Sequence, residues 1–412
     1  MDTLYPRCAG IDVHKDNLVV CVRLGDRPGK PAEEVRSFST LTRDLLALAD
    51  WLAQQRVTHV AMESTGVYWK PVFNLLEGHV EVILVNAQHV KQVPGRKTDV
   101  KDCQWLADLL AHGLLRASFV PPAPIRELRD LTRQRAQLVA ERATAANRIQ
   151  KVLEDANIKL AAVATDALGA SGRDMIEALI AGEEDPERLA DRARGRLRQK
   201  IPALQAALRG RVTEHHRFQL RVLLDHWTHL EELIGRLGTR IEQVMAPFAQ
   251  AAERLTTIPG VEQRTAEVVV AEIGTDMDQF PSAAHLASWA GMCPGNNESA
   301  GKRRSGRTTK GSRWLRQVLT QAAWAASHTK DTYLAAQFRR LAARRGKKRA
   351  LVAVGHTLLV IIYHLLKGGG TYQELGGDFL ERLEPERLTR QLVRRLEKLG
   401  HQVTLGPKED AA

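Results

Sequence analysis

Four acidic side chains near the start of the chain have types and positions that could bind metal ions: Asp12, Glu63, Asp99 and Asp102. Asp12 lies within an apolar stretch, CAGIDVHK at residues 8–15. A carboxylate among apolar neighbours is costly unless a metal ion or an ion-pair partner uses it. Carboxylate oxygens suit Mg²⁺, and a pair of such ions can activate an attacking oxygen and stabilise a leaving one on a phosphate. If the fold brings the four acids together, the sequence predicts a site for two Mg²⁺ ions.

The elements around these acids are expected to be short strands and helices. Apolar spacing predicts strands over residues 8–15, 17–24 and 33–38, a helix over 41–54, a strand over 58–63, a helix over 67–77, a strand over 80–85 and a helix from residue 98 onward. This α/β order, with its mixed sheet, resembles the ribonuclease-H-like fold of RuvC-type nucleases. Asp12 then lies in the first strand and Glu63 ends the fourth, while Asp99 and Asp102 share one face of the last helix.

Each acid also has an ordinary structural interpretation. Asp99 could complement the dipole of a helix N-terminus, and Glu63 could be a surface charge at the end of a strand. The presence of all four at corresponding positions of this fold favours the metal site. His14 and Lys15, which follow Asp12, could contact phosphate or face solvent, and the sequence does not choose between these roles.

Composition and charge restrict the class of protein. The 412-residue chain carries a formal net charge of +12, which favours a polyanionic partner, with nucleic acid ahead of a membrane surface. The four cysteines are scattered and form no CxxC motif, and the N-terminus lacks the apolar core of a secretion signal, so we expect a cytoplasmic protein with reduced thiols. The most apolar run, residues 350–366, is short for a bilayer and is predicted to be a buried helix.

Prolines at positions 121, 122 and 124 predict the end of a first, RuvC-like domain over residues 1–120. A linker over 121–250 follows, in which apolar residues repeat with heptad-like spacing over 125–152 and 223–244; this predicts two arms of an antiparallel coiled coil. Between the arms lies an insertion over about 159–217, whose arginine-rich run at 188–200 could bind nucleic acid or form a solvated face. A mainly α-helical domain over 251–380 and a charged tail over 381–412 complete the predicted organisation.

The C-terminal domain contains one hairpin-like segment and two basic stretches. Residues 255–274 resemble a helix-hairpin-helix motif, whose amides hold a phosphate, but Glu262 replaces its usual second glycine and a purely structural turn is an equal interpretation. Residues 290–316 interleave glycines with basic residues, and 339–349 form a second basic run; such stretches can grip a phosphate backbone or form solvated loops. The predicted nucleic-acid contacts are Lys302, Arg303, Arg304, Arg307, Lys310, Arg313, Arg316, Arg339, Arg340, Arg344, Arg345, Lys347, Lys348 and Arg349.

Six motifs in fixed order resemble the insertion sequence 110 family of transposases: GIDVHK, MESTGVYW, KTDVKD, IPGV, WAGMCPGNNESAGK and TTKGSRWLR. The ordered set covers roughly residues 8–379. The resemblance implies a RuvC-like domain joined through a coiled-coil linker to a C-terminal transposase domain. It also implies that the Asp-Glu-Asp-Asp set of metal ligands is Asp12, Glu63, Asp99 and Asp102.

The same resemblance implies a serine nucleophile in the motif PGNNESAGK, where the serine is Ser299. Serine is a poor nucleophile at neutral pH, so its activation would come from metal ions bound by the acidic domain. Attack on a DNA phosphate gives a phosphoserine ester that preserves the bond energy for rejoining. Many relatives have a glycine directly after this serine, whereas Ala300 intervenes here, and Ser305 and Ser312 in the same stretch are the alternatives.

Relatives in this family form dimers or tetramers and use a non-coding RNA encoded by their element. The resemblance therefore implies three partners, namely double-stranded donor and target DNA, a guide RNA, and other copies of the chain. Two other functions fit the same residues. A structure-specific, Holliday-junction-type nuclease would use the four acids with water as the nucleophile, so that Ser299→Ala stays active and Asp12→Ala does not. In a non-catalytic nucleic-acid-binding protein, neither substitution would abolish function.

Overall fold

A computed structural model of the chain describes residues 3–25, 31–64, 66–86, 102–295, 297–383 and 385–406. For residues 297–299, 303–305 and 387 it describes the backbone alone. The chain forms two compact units, Met1–Val120 and Pro121–Ala412, and the division falls at the proline-rich segment. The first unit is a mixed sheet with helices, and the second is mostly helical.

The first unit is organised around five strands. Its elements are β1 (Arg7–Val13), β2 (Asn17–Leu24), β3 (Ala32–Ser39), α1 (Thr42–Gln54), β4 (His59–Glu63), α2 (Trp69–Leu76), β5 (Glu81–Val85) and α3 (Asp102–Ala111). The sheet has the order β3-β2-β1-β4-β5, in which β1, β2 and β3 are antiparallel and β4 and β5 run parallel to β1. Helices α1 and α2 provide the crossovers that parallel strands require. The predicted mixed sheet is therefore confirmed.

Both faces of this sheet are covered by apolar side chains. On one face Ile11 packs in a cluster that includes Leu48 and Trp51 of α1. On the other face Cys8 packs with Leu106 of α3 and its neighbours. A central strand between two apolar layers explains why β1 reads as an almost continuous apolar run.

The elements of this unit have the expected order, and the bounds of those up to β5 differ from the expectation by at most two residues. β1 ends at Val13, so His14 and Lys15, which the prediction included in the strand, lie beyond its end. The helix expected from residue 98 is described from Asp102, and Asp99 lies outside the described residues.

Two long helices begin the second unit: α4 (Ala123–Asp155) and α9 (Glu214–Met245). They pack along each other, and two ion pairs give their direction. His216 Nε2 lies 2.9 Å from Asp155 Oδ2, whereas Arg142 Nη1 lies 3.6 Å from Glu231 Oε1. Late residues of α4 thus meet early residues of α9, so the helices are antiparallel.

The insertion between these helices is a packed helical module. It contains α5 (Leu160–Val163), α6 (Ala170–Ile180), α7 (Pro186–Ala190), a 3₁₀ helix (Gly195–Lys200) and α8 (Ile201–Ala207). Leu160, Met175, Leu189 and Leu204 are buried in one cluster with residues of α4 and α9. The arginine-rich run therefore belongs to a folded module that shares a core with the two long helices.

Two arginines of the run at 188–200 have acidic partners. Arg188 Nη1 lies 3.7 Å from Glu183 Oε2. Arg194 forms an ion pair with Asp174. These pairs account for two of the five arginines, so both a solvated face and a nucleic-acid footprint stay open for the run.

The remaining elements form a mostly helical region with one β-hairpin. They are a 3₁₀ turn (Ala246–Phe248), α10 (Ala249–Thr256), α11 (Gln263–Ile273), α12 (Ala283–Trp289), β6 (Asn297–Ser299), β7 (Lys302–Ser305), α13 (Arg313–Ser327), α14 (Tyr333–Arg345), α15 (Lys347–Gly368), α16 (Phe379–Arg382) and α17 (Pro385–Lys398). Within the described chain, α15 is the one helix long and apolar enough to cross a membrane. Its Val354, Leu358 and Ile362 are fully buried, and it packs against α13 and α14, which fits the predicted core helix.

Two parts of this region have more regular structure than the sequence suggested. The glycine-rich basic stretch contains the β6–β7 hairpin, with a two-residue turn at Ala300 (φ 51°) and Gly301 (φ 71°). Positive φ at both turn residues is typical of type I′ turns, which match the twist of a hairpin. The charged tail contains α17, which begins at Pro385, a residue that suits a first helical position.

Candidate active site

Asp12 and Glu63 lie at the same edge and on the same face of the sheet. In the parallel pair β1–β4 the last matched residues are Ile11 and Met62, and the two acids follow them. Successive strand residues face opposite sides. Since Ala61 packs on the α3 side of the sheet, Glu63 belongs to that side, and Asp12 shares it with Cys8 for the same reason.

The helix that begins at Asp102 lies directly on the strand that carries Asp12. A Cβ atom at Gly10 would lie 2.1 Å from the carbonyl oxygen of Cys103 and 2.6 Å from the amide nitrogen of Ala107. No side chain fits in that space, so glycine permits backbone-to-backbone contact. This contact brings the first turn of α3 to the face of the sheet that Asp12 and Glu63 share.

The Cys103 thiol gives an electrostatic indication that two of the acids are close. Burial raises the pKa of this thiol, and a hydrogen bond from the backbone N–H of Gln104 lowers it. The negative charges of Asp12 and Asp102 raise it further. Both charges act on the same thiol, whose cysteine lies in the first turn of α3.

The described carboxylates match a metal site in chemistry but do not complete one. Within residues 3–86 and 102–406, apart from the short gaps given above, no three His, Cys, Asp or Glu side chains are grouped to hold a metal ion. His14 Nε2 lies 3.1 Å from Asp12 Oδ2, and the Asp12 side chain is 30% exposed. Oxygen donors that solvent can reach suit a hard divalent cation. Asp99, the fourth predicted ligand, lies outside the described residues.

The three candidate serines have different environments. Ser299 ends β6 and pairs with Lys302 across the hairpin turn, and Ser305 ends β7; the side chains of both serines lie outside the described residues. Ser312 caps α13, where its Oγ accepts a hydrogen bond from the Leu315 amide at 3.3 Å. The same hydroxyl donates to Glu272 Oε2 at 2.8 Å. Because both interactions hold the Ser312 hydroxyl, its environment is that of a structural residue.

A buried carboxylate that the sequence analysis did not select anchors this part of the fold. The Glu272 side chain is 1% exposed, and Arg133 binds it through two hydrogen bonds of 2.7 and 2.9 Å. Arg129 donates to the backbone carbonyls of Ala271 and Glu272. The acid in the apolar segment VVVAEIG was the available signal, because a charge buried in such a segment requires a partner. The network ties α4 to α11 and, through Ser312, to the start of α13.

Most of the predicted phosphate-contacting residues with described side chains are exposed. Arg316 differs, since its Nη2 donates to the carbonyl oxygens of Gly291 at 2.6 Å and Thr309 at 2.7 Å. Its guanidinium therefore shapes the basic stretch from within. The exposed members are Lys302, Arg307, Lys310, Arg313, Arg339, Arg340, Arg344, Arg345, Lys347, Lys348 and Arg349. The side chains of Arg303 and Arg304 lie outside the described residues.

The turn between α10 and α11 packs against protein. Gly260 has a φ of 83°, and a Cβ there would lie 2.4 Å from the carbonyl oxygen of Ala322 in α13. This contact supplies a structural reason for the glycine of the IPGV motif. Phosphate binding by the turn stays a prediction.

Comparisons with known proteins match both units. The family DEDD_Tnp_IS110, described as "Transposase", matches residues 9–158, and the family described as "Transposase IS116/IS110/IS902 family" matches residues 252–339. A protein of Streptomyces coelicolor, "Insertion element IS110 uncharacterized 43.6 kDa protein", is 27% identical over 303 residues, which cover 68% of this chain and 73% of that one. A "Putative transposase y4pF/y4sB" of Sinorhizobium fredii is 26% identical over 332 residues, covering 78% and 76%.

A shorter similarity extends to a different kind of DNA rearrangement. A "Pilin gene-inverting protein" of Moraxella bovis is 28% identical over 149 residues, which cover 35% of this chain and 46% of that protein. The sheet and its acids, together with these matches, define a DNA-recombining enzyme. The chain belongs to the IS110 family of transposases.

Proposed function

We propose that this transposase cuts and rejoins the DNA of its insertion sequence through a covalent bond between Ser299 and a DNA phosphate. The observation that carries the proposal is the common face of Asp12 and Glu63, onto which Gly10 admits the helix that begins at Asp102. The three described acids are not grouped to hold an ion by themselves, so the proposed site includes Asp99. A phosphate held there would meet the acids that the family pattern pairs with a serine nucleophile.

We assign the divalent-metal site to four acids and propose that it holds two Mg²⁺ ions. The acids are Asp12, Glu63, Asp99 and Asp102. When bound, such ions would neutralise charge on the phosphate and favour the deprotonated form of an attacking hydroxyl. The Nε2–H of His14 is placed to donate a hydrogen bond to Asp12 Oδ2 and thereby orient that carboxylate. We assign His14 this positioning role.

The chemistry of Ser299 accounts for rejoining without an external energy source. Its oxygen bonds to phosphorus as the bond between phosphorus and the leaving sugar oxygen breaks; the serine proton is lost and the leaving oxygen gains one. The phosphoserine ester retains the energy of the original bond. A hydroxyl of another strand then reverses the exchange and regenerates the serine.

The remaining assignments concern partners. The basic residues of 302–316 and 339–349 are proposed to hold the phosphate backbones of donor and target DNA without reading base sequence. A guide RNA encoded by the element is proposed to select those sites, and a dimer or tetramer in the cytoplasm is the proposed active form. In that assembly the acids of one subunit would act with Ser299 of another.

A strand-transfer assay with defined variants tests the function. The full-length protein is incubated with its element's DNA, the flanking RNA and Mg²⁺, and cleaved and joined strands are separated on a denaturing gel. Asp12→Ala and Ser299→Ala should each abolish cleavage, whereas Ser312→Thr, which keeps a capping hydroxyl, should remain active. Cleavage by Ser299→Ala would instead support a structure-specific nuclease with water as the nucleophile.

A further inference from the structure

An open groove of about 770 Å³ runs along the exposed face of α13 in the second unit. Trp324 lies in this groove with 48% of its surface exposed, while the opposite face of the helix buries Leu315, Leu319 and Ala323. Exposure of so large an aromatic surface needs an explanation, because the Trp324 ring is not part of the buried core of this unit. Leu351 of α15 also lines the groove and adds to its apolar surface.

The indole ring is in contact with the ring of His328, which is itself exposed. The His328 ring lies edge-on to the Trp324 ring, with 4.5 Å between centroids, and His328 Nδ1 lies 2.8 Å from the Trp324 carbonyl oxygen. A ring restrained in this way loses little conformational entropy when a flat ligand stacks on it.

The chemistry of the groove walls changes along the helix. Lys310 and Arg313 lie at the N-terminal end, and the Arg313 guanidinium stacks 4.3 Å from the centroid of the Trp314 ring. Gln317 and Gln321 lie between this cationic end and Trp324, with amide groups that can donate and accept hydrogen bonds. None of the described residues that line the groove is acidic.

We infer that this groove binds an unpaired nucleotide of a DNA strand, with the base stacked on Trp324 and the phosphates at Lys310 and Arg313. An aromatic platform beside a cationic track is the combination that single strands require, because stacking is open only to a base outside a duplex. The amide groups of Gln317 and Gln321 would face the edge of the stacked base. The inference rests on the proposed function, in which strand exchange separates paired strands.

The test measures affinities of the full-length protein for a fluorescent 20-nucleotide DNA strand, for its duplex and for the RNA of the same sequence. Trp324→Ala should weaken binding of the single DNA strand by about 5- to 100-fold, and Trp324→Phe should retain most of it. The affinity for duplex DNA should change by less than about twofold, because a duplex is bound through phosphate contacts alone. Phe218→Ala is the matched control, since Phe218 is 67% exposed on α9, away from the groove.

Photocrosslinking locates the contact independently. A strand containing 5-iodouracil should crosslink to Trp324 on irradiation, as identified by mass spectrometry. Unchanged single-strand affinity in Trp324→Ala, an equal loss for duplex, or a loss confined to the RNA would each overturn the inference. If the wild-type chain transfers strands while Trp324→Ala binds single strands like the wild type, only the inference about the groove is wrong. If Ser299→Ala still cleaves DNA while Trp324→Ala no longer binds single strands, the serine mechanism is wrong and the inference about the groove is supported.

Discussion

Gly10 is the residue on which the approach of Asp102 to the sheet depends. A methyl group at this position would overlap the Cys103 carbonyl of α3, so the helix would have to move away from β1. Overpacking of this kind costs about 1–3 kcal/mol. The effect on the metal site should exceed the effect on the fold, because metal ligands tolerate little displacement.

We therefore expect Gly10→Ala to lower the free energy of unfolding by about 1–3 kcal/mol in urea titrations. It should also abolish the rise in melting temperature that we expect Mg²⁺ to give to the wild-type protein. Gly238→Ala is the control, because nothing lies within 4 Å of a Cβ there and alanine favours its helix by up to about 1 kcal/mol. A Gly10→Ala protein with full stability and an unchanged response to Mg²⁺ would contradict this account of the glycine.

The buried thiols of the first unit give a prediction for alkaline pH. Burial raises the pKa of Cys8 to about 11 and that of Cys21 to about 12, from an ordinary value of 9.0. Between pH 9 and 11 the unfolded chain loses protons that the folded chain keeps, so the free energy of unfolding falls as the pH rises. Each thiol contributes at most about 1.4 kcal/mol per pH unit over this range.

Cys21→Ala should make the decline in stability above pH 9 shallower than in the wild-type protein. The measurement is the urea midpoint at half-unit steps from pH 8 to 11, and the difference between the two curves removes the titration of lysines and tyrosines. Parallel curves would show that the Cys21 thiol ionises equally in both states.

The residue-level features differ in how far the sequence revealed them. Asp12 could be selected because a charge interrupts an apolar strand, and Glu63 because it ends one. The clash that makes Gly10 necessary involves Cys103, on a helix far along the chain, and no local pattern encodes it. Glu272 likewise finds Arg133 in a distant helix, so its partner depends on tertiary packing.

At the scale of elements, the β6–β7 hairpin places Ser299 beside a strained residue. Ala300 has a φ of 51°, a conformation that costs an alanine about 1–2 kcal/mol. Asparagine tolerates this region of φ and valine does not. The turn sequence of this hairpin is therefore not the most stable one available.

Ala300→Asn should slow hydrogen exchange of the hairpin amides by about fivefold, and Ala300→Val should accelerate it by at least as much. Mass spectrometry of peptides that cover residues 297–305 measures both effects. An order reversed between the two variants would mean that the turn does not hold Ala300 at positive φ. The global unfolding free energy serves as the control, because a local hairpin should leave it almost unchanged.

The elements themselves were predictable where side-chain periodicity was strong. β2 has the predicted bounds, Asn17–Leu24, because apolar residues fill a central strand. The hairpin was not predicted, since its strands are short and lie in a glycine-rich basic stretch without β-branched runs. The short helices of the insertion at 159–217 were not predicted, because each carries too few residues to display a period.

At the scale of the whole molecule, the two units differ in chemistry. The first contains the acids on one face of its sheet, and the second contains the hairpin of Ser299 and the exposed cations. The formal net charge of +12 fits a protein that grips phosphate backbones. We propose that DNA recombination requires both units. Loss of the acids of the first unit, or of Ser299 in the second, should abolish it.

The measurement that tests this most directly is the identity of the residue that becomes bonded to DNA. Reactions with Mg²⁺ are quenched in denaturant, digested with protease and nuclease, and searched by mass spectrometry for a nucleotide-modified peptide. We predict modification of Ser299 in the wild-type protein and none in Asp12→Ala, with Ser312→Ala as a test of the alternative serine. Cleaved DNA without any protein adduct would contradict the serine mechanism, and an adduct that persists in Asp12→Ala would contradict the role of the acids.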